Sequence, residues 1–173
     1  MKTLIAYFSR KGNNYVGGNI VNLPVGNTEV AAKKIAALTG GDLFEIKTVR
    51  SYSEDYTACT EEAQQEFRTA ARPELNGAIP DLSGYDVICL GYPNWWGTAP
   101  MAVFTFLESA DVSGKIIRPF CTHEGSGMGH SESDIKKACS TATVEKGLAI
   151  RGGNIKNADR DIEQWVSSIE GKE

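Results

Sequence analysis

The sequence predicts an α/β fold: a doubly wound, five-stranded parallel sheet with helices on both faces. Two observations lead to this prediction. Short apolar runs alternate with amphipathic segments along the whole chain, as in parallel strands joined by crossover helices. The clearest run, residues 86–92, is apolar on both faces, which is typical of a central strand covered on both sides. The length of 173 residues suits one domain, residues 1–173.

Each predicted element follows from its local pattern. The predicted strands are short apolar runs between polar or glycine-containing segments, at residues 2–8, 42–46, 86–92, 115–121 and 143–150. The last of these strands is interrupted by Gly147. The predicted helices have apolar residues at helical spacing, and they cover residues 28–38, 57–71, 100–109, 132–139 and a last segment that begins at 157–159. For two helices the pattern predicts which residues face the core. These are Val103, Phe104, Phe106 and Leu107 in the third helix, and Ile162, Trp165, Val166 and Ile169 in the last.

Composition and charge narrow the possible functions. A net charge of −4 argues against a nucleic-acid surface, because such surfaces are usually basic. The first apolar run stops at Ser9 and is too short for a signal or membrane-spanning segment, so we expect a cytoplasmic protein without a membrane interaction. The four cysteines match no zinc or redox spacing, and we expect them to be buried structural thiols without disulfides.

The start of the first helix predicts a phosphate site. Gly26, Asn27 and Thr28 open that helix, and the first N–H groups of a helix have no partner within it and favour anions. Ser9, at the end of the first strand, adds a hydroxyl group. Residues 9–14 are an alternative phosphate loop, but only the Gly26 segment leads into an amphipathic helix.

Residues 10–25 separate the two halves of this predicted phosphate site. They are rich in Asn and Gly and show little periodicity, so we predict a loop. Loops longer than about 12–15 residues are uncommon in compact domains and are usually functional or disordered. Two interpretations stay open: the segment folds over a ligand, or it is a mobile surface insertion.

A second unusual loop, residues 93–99, contains adjacent tryptophans. Trp95 and Trp96 offer flat apolar faces to a planar heterocycle, while Pro93 and Gly97 let the backbone approach it. We expect one ring to stack on a ligand and the other to plug the end of the sheet or lie on the surface. The sequence does not distinguish the two rings.

A third loop, residues 122–129, has glycines at alternate positions, which favours backbone lying flat against a ligand. His123 and Glu124 are the only plausible acid–base pair in the chain, and His123 is either a hydrogen-bond donor or a proton-transfer group. Metal binding is not expected, because His123 and His130 are seven residues apart without other soft ligands.

Together these loops resemble those of flavodoxins. The matching segments are Ala-Tyr-Phe-Ser-Arg, Gly-Asn-Thr, Tyr-Pro-x-Trp-Trp-Gly and Pro-Phe-Cys-Thr-His-Glu-Gly-Ser-Gly, and the resemblance covers nearly the whole chain. It implies non-covalently bound FMN and the strand order 2-1-3-4-5. The residues that it implies for the cofactor site are Ser9, Arg10, Gly26, Asn27, Thr28, Pro93, Asn94, Trp95, Trp96, Gly97, Thr122, His123, Glu124, Gly125, Ser126 and Gly127. The long segment 10–25 departs from the family's pattern.

Two functions are compatible with this resemblance. The first is an FMN electron-transfer protein that works between a reductase and an acceptor protein. The second is an NAD(P)H-dependent FMN oxidoreductase acting on quinones, azo or nitro compounds, in which His123 would be the catalytic residue. The small single domain, the pI of about 5.3 and the lack of a recognisable nicotinamide site favour the carrier.

Overall fold

The computed structural model describes residues 1–170. Its strands, in chain order, are β1 (Thr3–Tyr7), β2 (Gly12–Val16), β3 (Asn19–Leu23), β4 (Asp42–Glu45), β5 (Val87–Pro93), β6 (Ile116–His123), β7 (Thr143–Val144) and β8 (Leu148–Arg151). Its helices are α1 (Asn27–Thr39), α2 (Tyr56–Thr69), α3 (Met101–Ser109), α4 (Ser131–Ala138), α5 (Asp159–Glu170) and a 3-10 helix, Gly152–Asn157, between β8 and α5.

The main sheet confirms the predicted α/β fold. Its order is β4-β1-β5-β6-β7, with β8 also paired to β6, and every pairing is parallel. This order corresponds to 2-1-3-4-5 when β7 and β8 together count as the fifth strand. The sheet therefore has six strands where five were predicted.

The predicted fifth strand is interrupted at Gly147 as expected, and a bulge divides it into β7 and β8. Val144 pairs with Ile117 and Leu148 pairs with Phe120, so residues 145–147 lie opposite only residues 118–119. Pro119 has no N–H group to contribute to the ladder. Gly147 also packs so tightly that an added Cβ would lie 2.8 Å from the Pro119 carbonyl oxygen. The extra residue at the bulge accommodates this contact.

Two layers of core cover the sheet. Strand alternation in β1 sends Leu4 and Ala6 to the face packed by α3 and α4, and Ile5 and Tyr7 to the face packed by α1 and α5. The predicted core faces of the third and last helices are confirmed, since all eight listed side chains are buried. α1 ends as predicted at Gly40, whose φ of 69° is the left-handed conformation of a helix C-terminus.

The prediction of a loop at residues 10–25 is wrong, because β2 and β3 form an antiparallel hairpin there. Val16 pairs with Asn19, which leaves Gly17 and Gly18 as a two-residue turn with φ values of 60° and 89°. Two consecutive positive φ angles are the requirement of the tight turns that join such strands, and Gly-Gly meets it. In the sequence the hairpin lies between β1 and α1, and it forms a separate two-stranded sheet.

The four cysteines are buried and unpaired. Burial raises the pKa of the Cys89 and Cys121 thiols to about 12, so both stay protonated and unreactive near neutral pH. Within residues 1–170 we found no helix with the length and apolar character needed to cross a bilayer.

Candidate functional site

A cavity of about 320 Å³ lies at the carboxyl ends of β1, β5 and β6. Doubly wound sheets bind ligands at this end, beside the point where strand order reverses, which here lies between β1 and β5. The cavity is lined by Arg10, Asn14, Tyr15, Asn27, Thr28, Tyr56, Pro93, Asn94, Trp95, Thr122, His123, Glu124, Ser126 and Gly152. The three loops singled out in the sequence therefore meet around one site.

The N-terminus of α1 supplies two amides to this cavity. Gly26 precedes the helix, and the Ser9 hydroxyl oxygen accepts the N–H of Glu29 at 3.1 Å. Within residues 1–170, no group accepts the N–H of Asn27 or Thr28, the first two residues of the helix. These two amides and the helix dipole make a site that fits a phosphate group.

Close backbone packing holds this helix start in place. A Cβ on Gly26 would lie 2.2 Å from the Ser9 Oγ and 2.6 Å from the Arg10 carbonyl oxygen, so only glycine fits there. The buried Thr28 hydroxyl shares a 2.7 Å hydrogen bond with the Thr122 hydroxyl. That bond ties α1 to the end of β6.

The two tryptophans occupy different environments. Trp95 lines the cavity and packs edge-on against Phe8 and Tyr52, with ring centroids 5.1 Å apart in both pairs. Trp96 lies outside the cavity, is 47% exposed and donates its indole N–H to the Thr60 carbonyl oxygen at 2.9 Å. Of the two tryptophans, Trp95 is therefore the one whose ring could stack on a ligand in this cavity.

Asn94 joins the second and third loops. Its Nδ2 donates to the Gly127 carbonyl oxygen and its Oδ1 accepts the Gly97 N–H, both at 2.9 Å. Its backbone N–H donates to the Thr122 carbonyl oxygen at 2.8 Å. Asn94 therefore orders the loops through its side chain while it lines the cavity.

His123 is held as a neutral ring. Its Nδ1 accepts the Gly125 N–H at 2.9 Å, which puts the proton of the neutral imidazole on Nε2. Burial, followed by the nearby positive charge of Arg151, lowers the pKa of His123, and Glu124 only partly opposes this. At neutral pH the ring can offer an Nε2–H donor but carries no charge. The other histidine, His130, bonds Asp134 instead.

The Glu124 carboxylate is bonded to backbone amides rather than to His123. Its Oε2 accepts the Gly17 N–H at 3.1 Å, and its Oε1 accepts the Gly153 N–H at 2.9 Å. The carboxylate thereby connects the turn of the β2–β3 hairpin with the 3-10 helix.

The hairpin forms a wall of the cavity that the sequence did not reveal. Tyr15 on β2 stacks on Tyr56 at the start of α2, with centroids 6.3 Å apart and rings 26° from parallel. Asn14 donates its Nδ2 to the Arg10 carbonyl oxygen at 2.9 Å. The Gly17-Gly18 pair was the missed signal of a hairpin, which would have indicated Asn14 and Tyr15 as strand residues near the site. Tyr56 and Gly152 reach the cavity only through tertiary packing.

Ten of the sixteen residues predicted for the cofactor site line the cavity, and the other six are not in its lining. The residues outside the lining are Ser9, Gly26, Trp96, Gly97, Gly125 and Gly127. The Gly97 backbone packs on a neighbouring loop, where a Cβ on Gly129 would lie 2.2 Å from the Gly97 carbonyl oxygen. Direct contact with a cofactor stays a prediction for each residue of the set.

Comparison with known proteins adds the family. The flavodoxin family profile matches residues 2–169, whereas no curated protein matches the sequence significantly. A crystal structure of a Bacteroides eggerthii protein assigned as a flavoprotein has 29% identity and a TM-score of 0.78, covering 98% of both chains. A corresponding Bacteroides uniformis structure has 28% identity and a TM-score of 0.76, covering 96% of this chain and 97% of that one. The Lactobacillus acidophilus flavoprotein in complex with FMN has 20% identity and a TM-score of 0.65, covering 90% and 97%.

Proposed function

Because the chain belongs to the flavodoxin family, we propose that it binds FMN non-covalently and transfers electrons between redox partner proteins. The observation that carries the proposal is the pair of open amides, Asn27 and Thr28, at the helix end of the cavity. The Lactobacillus acidophilus flavoprotein, which shares the fold, was solved with FMN. When bound, FMN supplies the redox chemistry, and the protein supplies binding, orientation and electrostatics.

Different lining residues bind the phosphate and the flavin ring. The amides of Asn27 and Thr28 hold the phosphate, and Arg10, a cation in the lining, adds favourable charge. Trp95 offers its apolar face to the flavin ring. Asn94 and Thr122 hold the loop backbone that reads the ring's polar edge.

The hydrogen bonds of His123 and Glu124 favour a carrier over an enzyme. The His123 Nδ1 accepts the Gly125 N–H, so the neutral ring offers a donor at Nε2 and no free nitrogen to take up a proton. Both Glu124 oxygens accept backbone amides. A carrier needs no group that takes up a proton.

One observation favours the second candidate, an NAD(P)H-dependent oxidoreductase acting on quinones, azo or nitro compounds. The neutral His123 lines the cavity, and within the described chain its Nε2 has no protein partner. A donor of this kind could orient a substrate carbonyl or nitro oxygen. His123 as a catalytic residue belongs to this candidate alone.

An anaerobic visible spectrum of the FMN-loaded protein tests both candidates. A carrier keeps its flavin bands after addition of NADPH and loses them with dithionite. Rapid bleaching by NADPH alone would instead establish the oxidoreductase. In that case His123→Ala should lower turnover per bound FMN, and turnover that simply follows FMN content would remove His123 from the mechanism. A protein that retains no FMN would refute the proposal.

A further inference from the structure

The tight turn that carries Trp95 is a strained element beside the cavity. Trp95 and Thr98 pair as an antiparallel bridge, with backbone hydrogen bonds of 2.9 and 3.3 Å between them. The two residues of the turn, Trp96 and Gly97, have φ values of 58° and 86°. Such turns need two positive φ angles, but the side chain of Trp96 disfavours this left-handed conformation. A strained turn of this kind persists only where its surroundings hold it.

Two neighbouring helices hold the turn through backbone groups. From α2, the Thr60 carbonyl oxygen accepts the Trp96 indole N–H at 2.9 Å. From the residue before α4, the His130 backbone N–H donates to the Gly97 carbonyl oxygen at 2.8 Å. The turn is therefore fixed from two sides.

Asp134 on α4 adds a further contact, made by a charged side chain. Its Oδ2 accepts the Thr98 hydroxyl at 2.7 Å and lies 2.6 Å from the His130 Nδ1. Because a carboxylate can only accept, the His130 Nδ1 donates in this pair. Thr98 is 1% exposed, so its hydroxyl has little access to water. One carboxylate thus joins the last residue of the turn to the residue before α4.

This contact reaches the cavity through Trp95. Trp95 lines the cavity and is the ring proposed to lie against the flavin, whereas Asp134 is not in the lining. The paired backbone bonds of the turn connect Thr98 to Trp95. Without the carboxylate, Thr98 is released and the strained turn populates other conformations. A site whose competent conformation is only partly populated has its apparent affinity reduced by that fraction.

We infer that Asp134 is a positioning residue of the flavin site, which holds the turn at residues 95–98 so that the Trp95 ring faces the cofactor. The inference rests on the proposed binding of FMN and adds a residue that acts on it from outside the cavity. The sequence gives no local signal for this role, because Asp134 lies 36 residues beyond Thr98.

Calorimetric titration of the flavin-free, full-length protein with FMN tests the inference. We expect Asp134→Ala to lower FMN affinity about tenfold, the scale of one lost hydrogen bond to a charged group. Asp134→Asn can still accept the Thr98 hydroxyl through its amide oxygen, as a neutral and weaker acceptor. Its loss of affinity should therefore be only about threefold.

Glu132→Ala is the matched control. Glu132 lies on the same helix and also accepts a hydrogen bond, from the Gly147 N–H at 2.9 Å, but this bond leads to residue 147 rather than to the turn. FMN affinity should therefore stay at the wild-type value. Urea denaturation of both alanine variants measures how far each one destabilises the protein.

Fluorescence of the bound flavin gives a readout that a general loss of stability would not change. An indole ring stacked on a flavin quenches its emission, so FMN bound to wild type should fluoresce weakly. At saturating protein concentration, FMN bound to Asp134→Ala should be brighter, because Trp95 no longer keeps its place. FMN bound to Glu132→Ala should stay quenched.

A double-mutant cycle with Thr98→Val tests the connection through the hydroxyl. Thr98→Val removes the group that Asp134 accepts. Because both substitutions break the same hydrogen bond, the double variant should lose less FMN affinity than the product of the two single losses.

The outcomes separate this inference from the proposed function. Wild-type affinity in Asp134→Ala, or a lower affinity with unchanged quenching, would overturn the inference and leave the proposed function standing. An equal loss of affinity in Glu132→Ala, or losses in the cycle that simply multiply, would do the same. If wild type does not bind FMN at all, the proposed function fails and the inference fails with it.

Discussion

The two sides of the cavity are built by different means. On the helix side, formed by Gly26, Asn27 and Thr28, buried backbone packs so closely that a single methyl group does not fit, and a buried hydroxyl pair anchors it to β6. On the hairpin side, formed by Asn14, Tyr15 and the Glu124 carboxylate that accepts the Gly17 N–H, side chains make the contacts, and Tyr15 is 44% exposed.

This difference separates what the fold determines from what an insertion adds. The helix side must form whenever β1, β6 and α1 pack, so the phosphate position is a consequence of the core. The hairpin side rests on partly exposed contacts between distant segments, the kind of region that opens at low free-energy cost. We therefore expect changes on the helix side to affect binding and stability together, and changes on the hairpin side to affect mainly binding.

The largest effect should come from Gly26→Ala. The added methyl group meets the Ser9 Oγ and the Arg10 carbonyl oxygen, so the α1 amides must shift. We expect FMN affinity to fall about 100-fold and the free energy of unfolding to fall by about 1–3 kcal/mol, the usual cost of overpacking. Calorimetric titration and urea denaturation measure the two quantities.

Gly41→Ala is the control for that change. Its Cβ would lie 2.6 Å from the Ile5 Cδ1 and 2.7 Å from the Thr3 carbonyl oxygen, at the other end of α1. It should destabilise the protein similarly without changing FMN affinity. Normal FMN binding by Gly26→Ala would show that the phosphate position does not depend on this packing.

Removal of the hairpin should have the next largest effect. Gly12 and Leu23 pair directly, so a two-residue Gly-Ser link can replace the residues between them. We expect FMN affinity to fall about tenfold, with the free energy of unfolding changed by less than about 1 kcal/mol, as for exposed loop changes. A cooperative urea transition that shifts by several kcal/mol would instead make the hairpin part of the core.

Tyr15→Ala should have a smaller effect on the same side. Its stacked pairing with Tyr56 is of a kind worth about 0.5–1.5 kcal/mol, so FMN affinity should fall about two- to tenfold. Tyr15→Phe keeps the ring and serves as the control, with an affinity close to wild type. Equal losses in both variants would assign the effect to the hydroxyl group rather than to stacking.

The smallest effect should come from His123, which lines the cavity. Its pKa in the folded protein lies below the ordinary 6.5, because burial and Arg151 disfavour the charged ring. The unfolded chain then binds the proton more readily, so this stability is complete above pH 6.5 and is lost as the pH falls through the folded-state pKa. Urea denaturation at pH 7.5 and 5.5 should show a smaller loss for His123→Gln than for wild type. An identical loss in both proteins would contradict the lowered pKa.

Local pattern was enough to predict the helix side. The apolar run of β1, the Gly26-Asn27-Thr28 helix start and the stop at Gly40 are signals within a few residues of one another, and the structure places each as expected. The same holds for the buried faces of α3 and α5. Such features follow from periodicity and capping, which the chain expresses locally.

The hairpin side was harder to predict because its contacts are not local. Richness in Asn and Gly made residues 10–25 look like a loop, although Gly17-Gly18 marks a hairpin turn. The partners of Glu124 lie 107 and 29 residues away, and no local pattern gives them. Pro119 lies within β6, but the interruption opposite it falls in the neighbouring strand, between β7 and β8.

The bulge opposite Pro119 also shortens the strands at one edge of the sheet. An edge strand with a long row of open N–H and C=O groups is a template for aggregation, and natural proteins protect such edges with bulges and short strands. Here the edge beyond β6 is divided into pieces of two and four residues, and β4 at the opposite edge has four. Neither edge offers a long, regular surface for a strand from another molecule, so the sheet is protected from growing by edge-to-edge pairing.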